Sequence, residues 1–200
     1  MSFPEHLAIA SRNPGKIREI LAICSDWPVG WLTATDDPRQ WPDVEETGVT
    51  YLENASLKAL GVAGALAVPA MADDSGIEVD TLRGAPGMRS ARFAGQHASD
   101  EENLAKLIRE IRDVPARERT ARYRCVALMA TPDGKMTSAE ATCEGSLVLE
   151  PRGTGGFGYD PIFVAVGETL TMAELPPAEK DLISHRGKAF RALRDLIAAH

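Results

Sequence analysis

Aromatic residues make up only 6% of this 200-residue chain, and cysteines number three. Cys24, Cys125 and Cys143 form an odd, sparse set without metal-ligand spacing, which argues against a disulfide scaffold or a cysteine zinc site. Cys125 and Cys143 could face each other on neighbouring strands, but reduced core thiols are the simpler expectation. Long apolar runs are also missing. The longest, Gly61 to Ala72, covers about 12 residues and contains Pro69, against the roughly 20 that a membrane span requires. The start, MSFPEHLAIAS, has no basic region ahead of its short apolar run, so no signal peptide is expected and the chain reads as cytoplasmic. Positive charge is short as well: 22 Lys+Arg against 29 Asp+Glu leave a formal net charge of −7. Nucleic acid and membrane surfaces, which call for a basic face, are therefore not expected partners. An anionic ligand would need a few placed cations or a metal.

What is present fits a globular chain, with 44% hydrophobic and 26% charged residues. This length buries roughly 70% of the unfolded surface, enough for one sizeable core or two lobes sharing one. Leu7 to Ala10 reads as a buried strand leading through Ser11-Arg12-Asn13-Pro14-Gly15-Lys16 into a helix with Ile17, Ile20, Leu21 and Cys24 on one face. Asn13 before Pro14 suits an N-cap followed by proline at the first helical position. Trp27 to Asp43 reads as irregular, with one strand. Thr50 and Glu53 have capping-box spacing ahead of a helix that turns Leu52, Ala55, Ala59, Val62 and Ala63 inward; Ser99 and Glu102 repeat the device before Leu104, Leu107, Ile108 and Ile111. Ala70 to Ala72 reads as a short buried strand stopping at Asp73-Asp74-Ser75-Gly76, and residues 84–95 as loop. Residues 121–131 and 136–144 alternate as strands around a Thr131–Lys135 turn. A third strand is expected at Ser146 to Glu150, a short one at Pro161 to Val166, and a last helix capped by Ser184. The fold class is mixed α/β, read as a single domain over residues 1–200.

Four segments could carry chemistry. The first loop offers backbone N–H groups, a helix N-terminus and the Lys16 ammonium to a phosphate. It is not a Walker A loop, which needs glycine where Ala10 stands and Ser or Thr where Ile17 stands. Asp73 and Asp74 lie at an apolar strand end, where adjacent residues point to opposite faces, so one carboxylate can face ligand while the other ties down the loop. Such a pair suits Mg2+, which takes one or two carboxylates plus substrate phosphates, and the Glu45-Glu46-Thr47-Gly48 stretch could supply another. A plain turn made by Asp-Asp-Ser-Gly is the alternative. In the third segment four glycines surround Phe157 at 153–158, with Tyr159 and Asp160 beside it. The ring is free either to stack on a flat base or to join the core. Lastly, Lys180 and Ser184-His185-Arg186 set cations at a helix start, where the macrodipole disfavours them unless an anionic or electron-rich group is near.

In this order the segments resemble the inosine triphosphate pyrophosphatase family. The residues that carry the resemblance are SRNPGKIREI (11–20), EETGVTYLENASLKA (45–59), ADDSGIEVDTLRGAPGMRSARFAG (72–95), GTGGFGYDPIF (153–163) and EKDLISHRGKAF (179–190). Each motif is modest alone; five in register over nearly the whole chain are specific. The resemblance implies a two-lobed mixed α/β fold with a long central mixed sheet and a cleft between lobes, assembled as a homodimer. It also implies Mg2+-dependent hydrolysis of dITP, ITP and XTP to the monophosphate and pyrophosphate, which cleanses the nucleotide pool. By motif position Ser11, Arg12, Asn13, Pro14, Gly15 and Lys16 would cradle the triphosphate, with Lys58 as a second cation. Asp74 would be general base and metal ligand, assisted by Glu46 and Asp73, and Ser75 would touch substrate. Phe157, Gly158, Tyr159 and Asp160 would hold the purine, with Lys180, His185 and Arg186 completing its recognition. The chain departs from the family at Arg89, where an aromatic is common, and at Asp181, where asparagine is common. Two rivals are a γ-phosphoryl transferase and a nucleotide sensor that does not turn over.

Overall fold

The computed structural model describes residues 3–37 and 39–199. Six strands form one mixed sheet in the order β2-β1-β3-β4-β5-β6: β1 His6–Ile9, β2 Gly30–Leu32, β3 Ala70–Val79, β4 Thr120–Ala130, β5 Met136–Leu147 and β6 Phe163–Ala165. β1 runs parallel to both β2 and β3, whereas β5 and β6 are antiparallel. Among the described residues there are also four short 3-10 helices and five α-helices: α1 Pro14–Ile23, α2 Tyr51–Leu66, α3 Asp100–Ile111, α4 Pro177–Ile183 and α5 His185–Ala198. None is long and apolar enough to cross a membrane.

The helix starts follow local chemistry. The Asn13 side chain accepts from the Lys16 N–H, with Pro14 in the first helical turn. Thr50 with Glu53 and Ser99 with Glu102 close both capping boxes. Ala55, Ala59, Val62 and Ala63 are buried on α2 as expected, but Leu52, close to the start of the helix, is 46% exposed.

Three other expectations give way. β3 does not stop at Asp73: it runs on through Asp-Asp-Ser-Gly to Val79, because the sheet ladder on both sides overrides the local turn preference of those residues. β5 extends to Leu147 and absorbs the start of the separate strand expected at 146–150. Ser184 closes α4, a helix that the sequence pattern did not announce, and α5 begins at the next residue.

The chain divides into two compact units, the division falling within β3, β4 and β5. The first comprises residues up to Asp74, Cys125–Ala141 and the segment from Arg186 onward; its core gathers Leu7, Ile9, Ile20, Met71, Ala127, Phe190 and Leu193. The second comprises Ser75–Arg124 and Thr142–His185, with a core around Ile77, Leu107, Ile111, Tyr123, Ile162, Phe163 and Met172. All three cysteines are free and buried.

Candidate active site

In the first unit, β1 delivers the chain into the loop that opens α1. Ser11 Oγ accepts from the Asn13 N–H at 3.2 Å, and Asn13 Oδ1 accepts from the Lys16 N–H at 3.0 Å. The turn is thus held by its own side chains, leaving Lys16 to reach outward to Asp73, where Nζ lies 3.2 Å from Oδ2. Arg12 turns elsewhere, to the Pro42 carbonyl at 3.3 Å and to Asp43 at 3.5 Å.

The strand alternation of β3 sends the two neighbouring carboxylates to different partners. Asp73 Oδ2 receives Lys16, the Arg186 Nη2 at 3.0 Å and Nε at 3.3 Å, and the Cys125 thiol at 3.9 Å. The other arm of Arg186 donates to Glu19 at 2.5 Å. Burial opposes the charge of Asp73, but Lys16, Arg186 and Lys58 outweigh it and hold the carboxyl well below the usual carboxylate range.

Asp74 faces α2. Lys58 Nζ donates to its Oδ1 at 3.0 Å, and the same ammonium lies 3.0 Å from Glu46 Oε1. The buried Asn54 donates from Nδ2 to Asp74 Oδ2 at 3.4 Å while its Oδ1 accepts from the Gly48 N–H at 2.8 Å, which ties the 45–48 segment to the helix. Here burial wins: Asp74 is pushed above the ordinary aspartate value despite Lys58 and Lys16. Burial also disfavours the Lys58 ammonium, yet Asp74, Asp73 and Glu46 together keep it charged. Ser75 follows on β3, partly exposed.

This donor set suits a hard divalent cation. Asp74 and Glu46 present oxygens that share one lysine, and Mg2+ needs only one or two carboxylates beside substrate phosphates. Among the described residues no three of His, Cys, Asp and Glu converge on one point. Asp73 differs from the other two in that its Oδ2 already takes both Lys16 and Arg186.

The second unit gathers the other expected residues around Asp160. Lys180 Nζ lies 2.6 Å from Asp160 Oδ2, which also accepts from the Phe157 N–H at 2.9 Å. The same ammonium sits 5.6 Å from the centre of the Phe157 ring. Gly156 makes this possible: its φ is +68°, and a Cβ there would stand 2.0 Å from Asp160 Oδ2 and 2.8 Å from Lys180 Nζ. Gly158 donates from its N–H to Asp100 at 3.0 Å. Tyr159 is buried and donates to the Ser90 carbonyl at 2.8 Å, which gives it a holding role in the loop. His185 is buried with its ring stacked on Tyr123, centroids 4.5 Å apart and planes 7° from parallel.

His185 and Arg186, adjacent in sequence, therefore serve different clusters, one in each unit. Four participants escaped the sequence reading: Glu19, Asn54, Cys125 and Tyr123. Two had a usable signal, Glu19 standing three residues beyond Lys16 on α1 and Asn54 four before Lys58 on α2, spacings that share a helix face. Cys125 and Tyr123 are ordinary core positions of an alternating strand until their partners are known.

A buried pair of carboxylates held by lysines, set beside a strand–loop–helix turn, places the chain among mixed α/β proteins equipped for anionic ligands. The family is specific: the Ham1 family model matches residues 7–196, and the chain belongs to that family. It is similar to the dITP/XTP pyrophosphatase of Streptomyces coelicolor, at 52% identity over 188 residues covering 94% of each chain. The dITP/XTP pyrophosphatase of Escherichia coli K12 is 44% identical over 195 residues, covering 96% of this chain and 98% of that one. Among solved structures, a HAM1 protein from Coxiella burnetii superposes with a TM-score of 0.86 at 36% identity, covering 98% of this chain and all of the other. A nucleoside-triphosphatase, dITP/XTP pyrophosphatase, from Mycobacterium abscessus gives a TM-score of 0.73 at 40% identity, covering 94% and 98%.

Proposed function

We propose that this enzyme hydrolyses non-standard purine nucleoside triphosphates (dITP, ITP and XTP) to the monophosphate and pyrophosphate with Mg2+, removing them from the nucleotide pool. The observation that carries this is the pair Asp73 and Asp74 on β3, one bound to Lys16 and the other to Lys58. In a Ham1-family chain, that is a set of charges matched to a polyphosphate and a hydrolytic water.

In this reading the first unit takes the phosphates. The 11–16 loop offers N–H groups and Lys16 to the triphosphate, and Lys58 adds a second cation. Glu46 and Asp74 would hold Mg2+, which when bound supplies positive charge to the phosphate oxygens as pyrophosphate departs. Asp74 orients and deprotonates the water that attacks the α-phosphorus, its carboxylate fixed by Lys58 on one oxygen and Asn54 on the other. Asp73 keeps Lys16 and Arg186 in position.

The second unit takes the base. Phe157 offers a stacking face, and Lys180 and His185 offer donors to the 6-keto oxygen of hypoxanthine or xanthine. Adenine carries an amino group there and would leave buried donors unpaired, a heavily penalised arrangement. The resemblance further supports a cytoplasmic homodimer, for which light scattering of the purified protein is the check.

The deciding experiment is a product assay with Mg2+ on dITP, XTP, dGTP and dATP that resolves pyrophosphate from orthophosphate. Pyrophosphate chiefly from dITP and XTP is the expected result. Orthophosphate would point to γ-phosphoryl chemistry, and binding without turnover to a sensor. Lys16→Ala is expected to raise the KM for dITP by roughly tenfold, the worth of one charge-assisted contact. An unchanged KM and kcat would remove the first loop from triphosphate binding.

A further inference from the structure

Tyr123 belongs to no motif, and its place on β4 looks like that of a core aromatic. Its neighbours Ala121 and Cys125 are buried, whereas Arg122 and Arg124 stand on the other face and meet Glu78, Asp80 and Glu144. A buried ring facing Phe163, centroids 4.7 Å apart, needs no hydroxyl. This one has a hydroxyl, and it lies 3.3 Å from Asp160 Oδ1.

That contact completes the hold on Asp160. An ionised carboxylate only accepts hydrogen bonds, so donors on both oxygens fix its rotation. Lys180 and the Phe157 N–H occupy Oδ2, and the Tyr123 O–H is placed to occupy Oδ1. The same side chain sets the second element of the pocket, because its ring lies parallel to the His185 imidazole at 4.5 Å. With Phe163 fully buried beside it, Tyr123 has little freedom to tilt, and neither then has the histidine.

From this geometry we infer that Tyr123 is a specificity-positioning residue: its hydroxyl orients Asp160, the anchor of Lys180, and its ring sets the plane of His185, so that Lys180 and His185 meet the purine edge in one fixed arrangement. This rests on the reading that the second unit holds the base. The residue acts through its neighbours and touches no reacting atom.

Two variants separate the parts. Tyr123→Phe keeps the ring and its stacking and removes only the O–H. It is expected to fold with a melting temperature lowered by roughly a few degrees, to raise the KM for dITP about fivefold with the loss falling mainly on KM, and to narrow the dITP to dATP ratio of kcat/KM by roughly tenfold, on the scale of one hydrogen bond to a charged group. Tyr123→Leu removes the stack too and should narrow the ratio further; where it folds, the His185 ring protons should lose the upfield NMR shift imposed by the tyrosine ring. A purely structural tyrosine predicts that Tyr123→Phe matches wild type in KM and in the ratio, and that outcome overturns the inference. Wild-type protein is measured first. If it does not favour dITP over dATP, the proposed function has failed, and calorimetric binding of inosine monophosphate to wild type and Tyr123→Phe decides the matter separately. Weaker binding by the variant sustains the inference; equal affinity, or no binding by either, overturns it.

Discussion

Asp74→Asn is expected to lower turnover of dITP by about 10²–10⁴, the range for removing a positioned general base, while triphosphate binding persists. The substitution keeps shape and one acceptor oxygen but removes the negative charge between Lys58, Glu46 and the attacking water. Lys58 retains Glu46 at 3.0 Å, so the cation stays in place and the variant should fold. Steady-state pyrophosphate release, paired with calorimetric binding of a non-hydrolysable analogue, separates the two effects. A kcat within threefold of wild type would remove Asp74 as the base and move attention to Glu46, the other carboxylate on Lys58.

The second large effect is on folding and involves the neighbour. Asp73 is the buried anion for Lys16 and Arg186, and removing one partner of a buried ion pair costs roughly 3–5 kcal/mol because the other charge is left unpaired. Arg186 keeps Glu19 and asparagine keeps an acceptor, so Asp73→Asn should fall at the low end, near 3 kcal/mol. At about 2–4 °C of melting temperature per kcal/mol for a chain of this size, that is a drop of roughly 6–12 °C at pH 7. The dependence on pH has a definite sign. The folded-state pKa of Asp73 lies below its unfolded value of about 3.9, so its contribution is fully present above that value and is lost as pH falls toward the folded one. Urea denaturation of wild type and Asp73→Asn at pH 7, 5, 4 and 3.5 should show a gap that is constant down to pH 5 and then begins to narrow. A gap that held its size to pH 3.5, or widened, would mean that the Asp73 charge is not what Lys16 and Arg186 depend on.

Much of the site was legible because it is local. The Asn13 cap, the proline after it and both capping boxes are decided within four residues, and each formed as its spacing required. That Asp73 and Asp74 would meet different partners also followed from strand alternation, although which role each takes was implied only by the resemblance. The strand around them was not legible to its end, because Asp-Asp-Ser-Gly prefers a turn and only pairing on both sides keeps it extended. The companions of Arg186 were hidden for a different reason. Glu19 is 167 residues away in the chain and Asp73 is 113 away, so no window of sequence contains the network. Tyr123 is the extreme case, since an alternating strand gives the same signal for a tyrosine that supports a site and one that fills a core.

The uninterrupted course of β3 also limits how this protein can vary. Successive residues of a strand alternate in direction, and Asp73 and Asp74 are assigned their partners by that alternation alone. Substitutions along Ala70–Ala72 can be absorbed by repacking, but a one-residue insertion or deletion there would turn each carboxylate to the opposite face of the sheet, away from its own lysine. The strand therefore acts as a ruler: its composition is negotiable, its count of residues is not, and length changes tolerated by the family should gather in the loops.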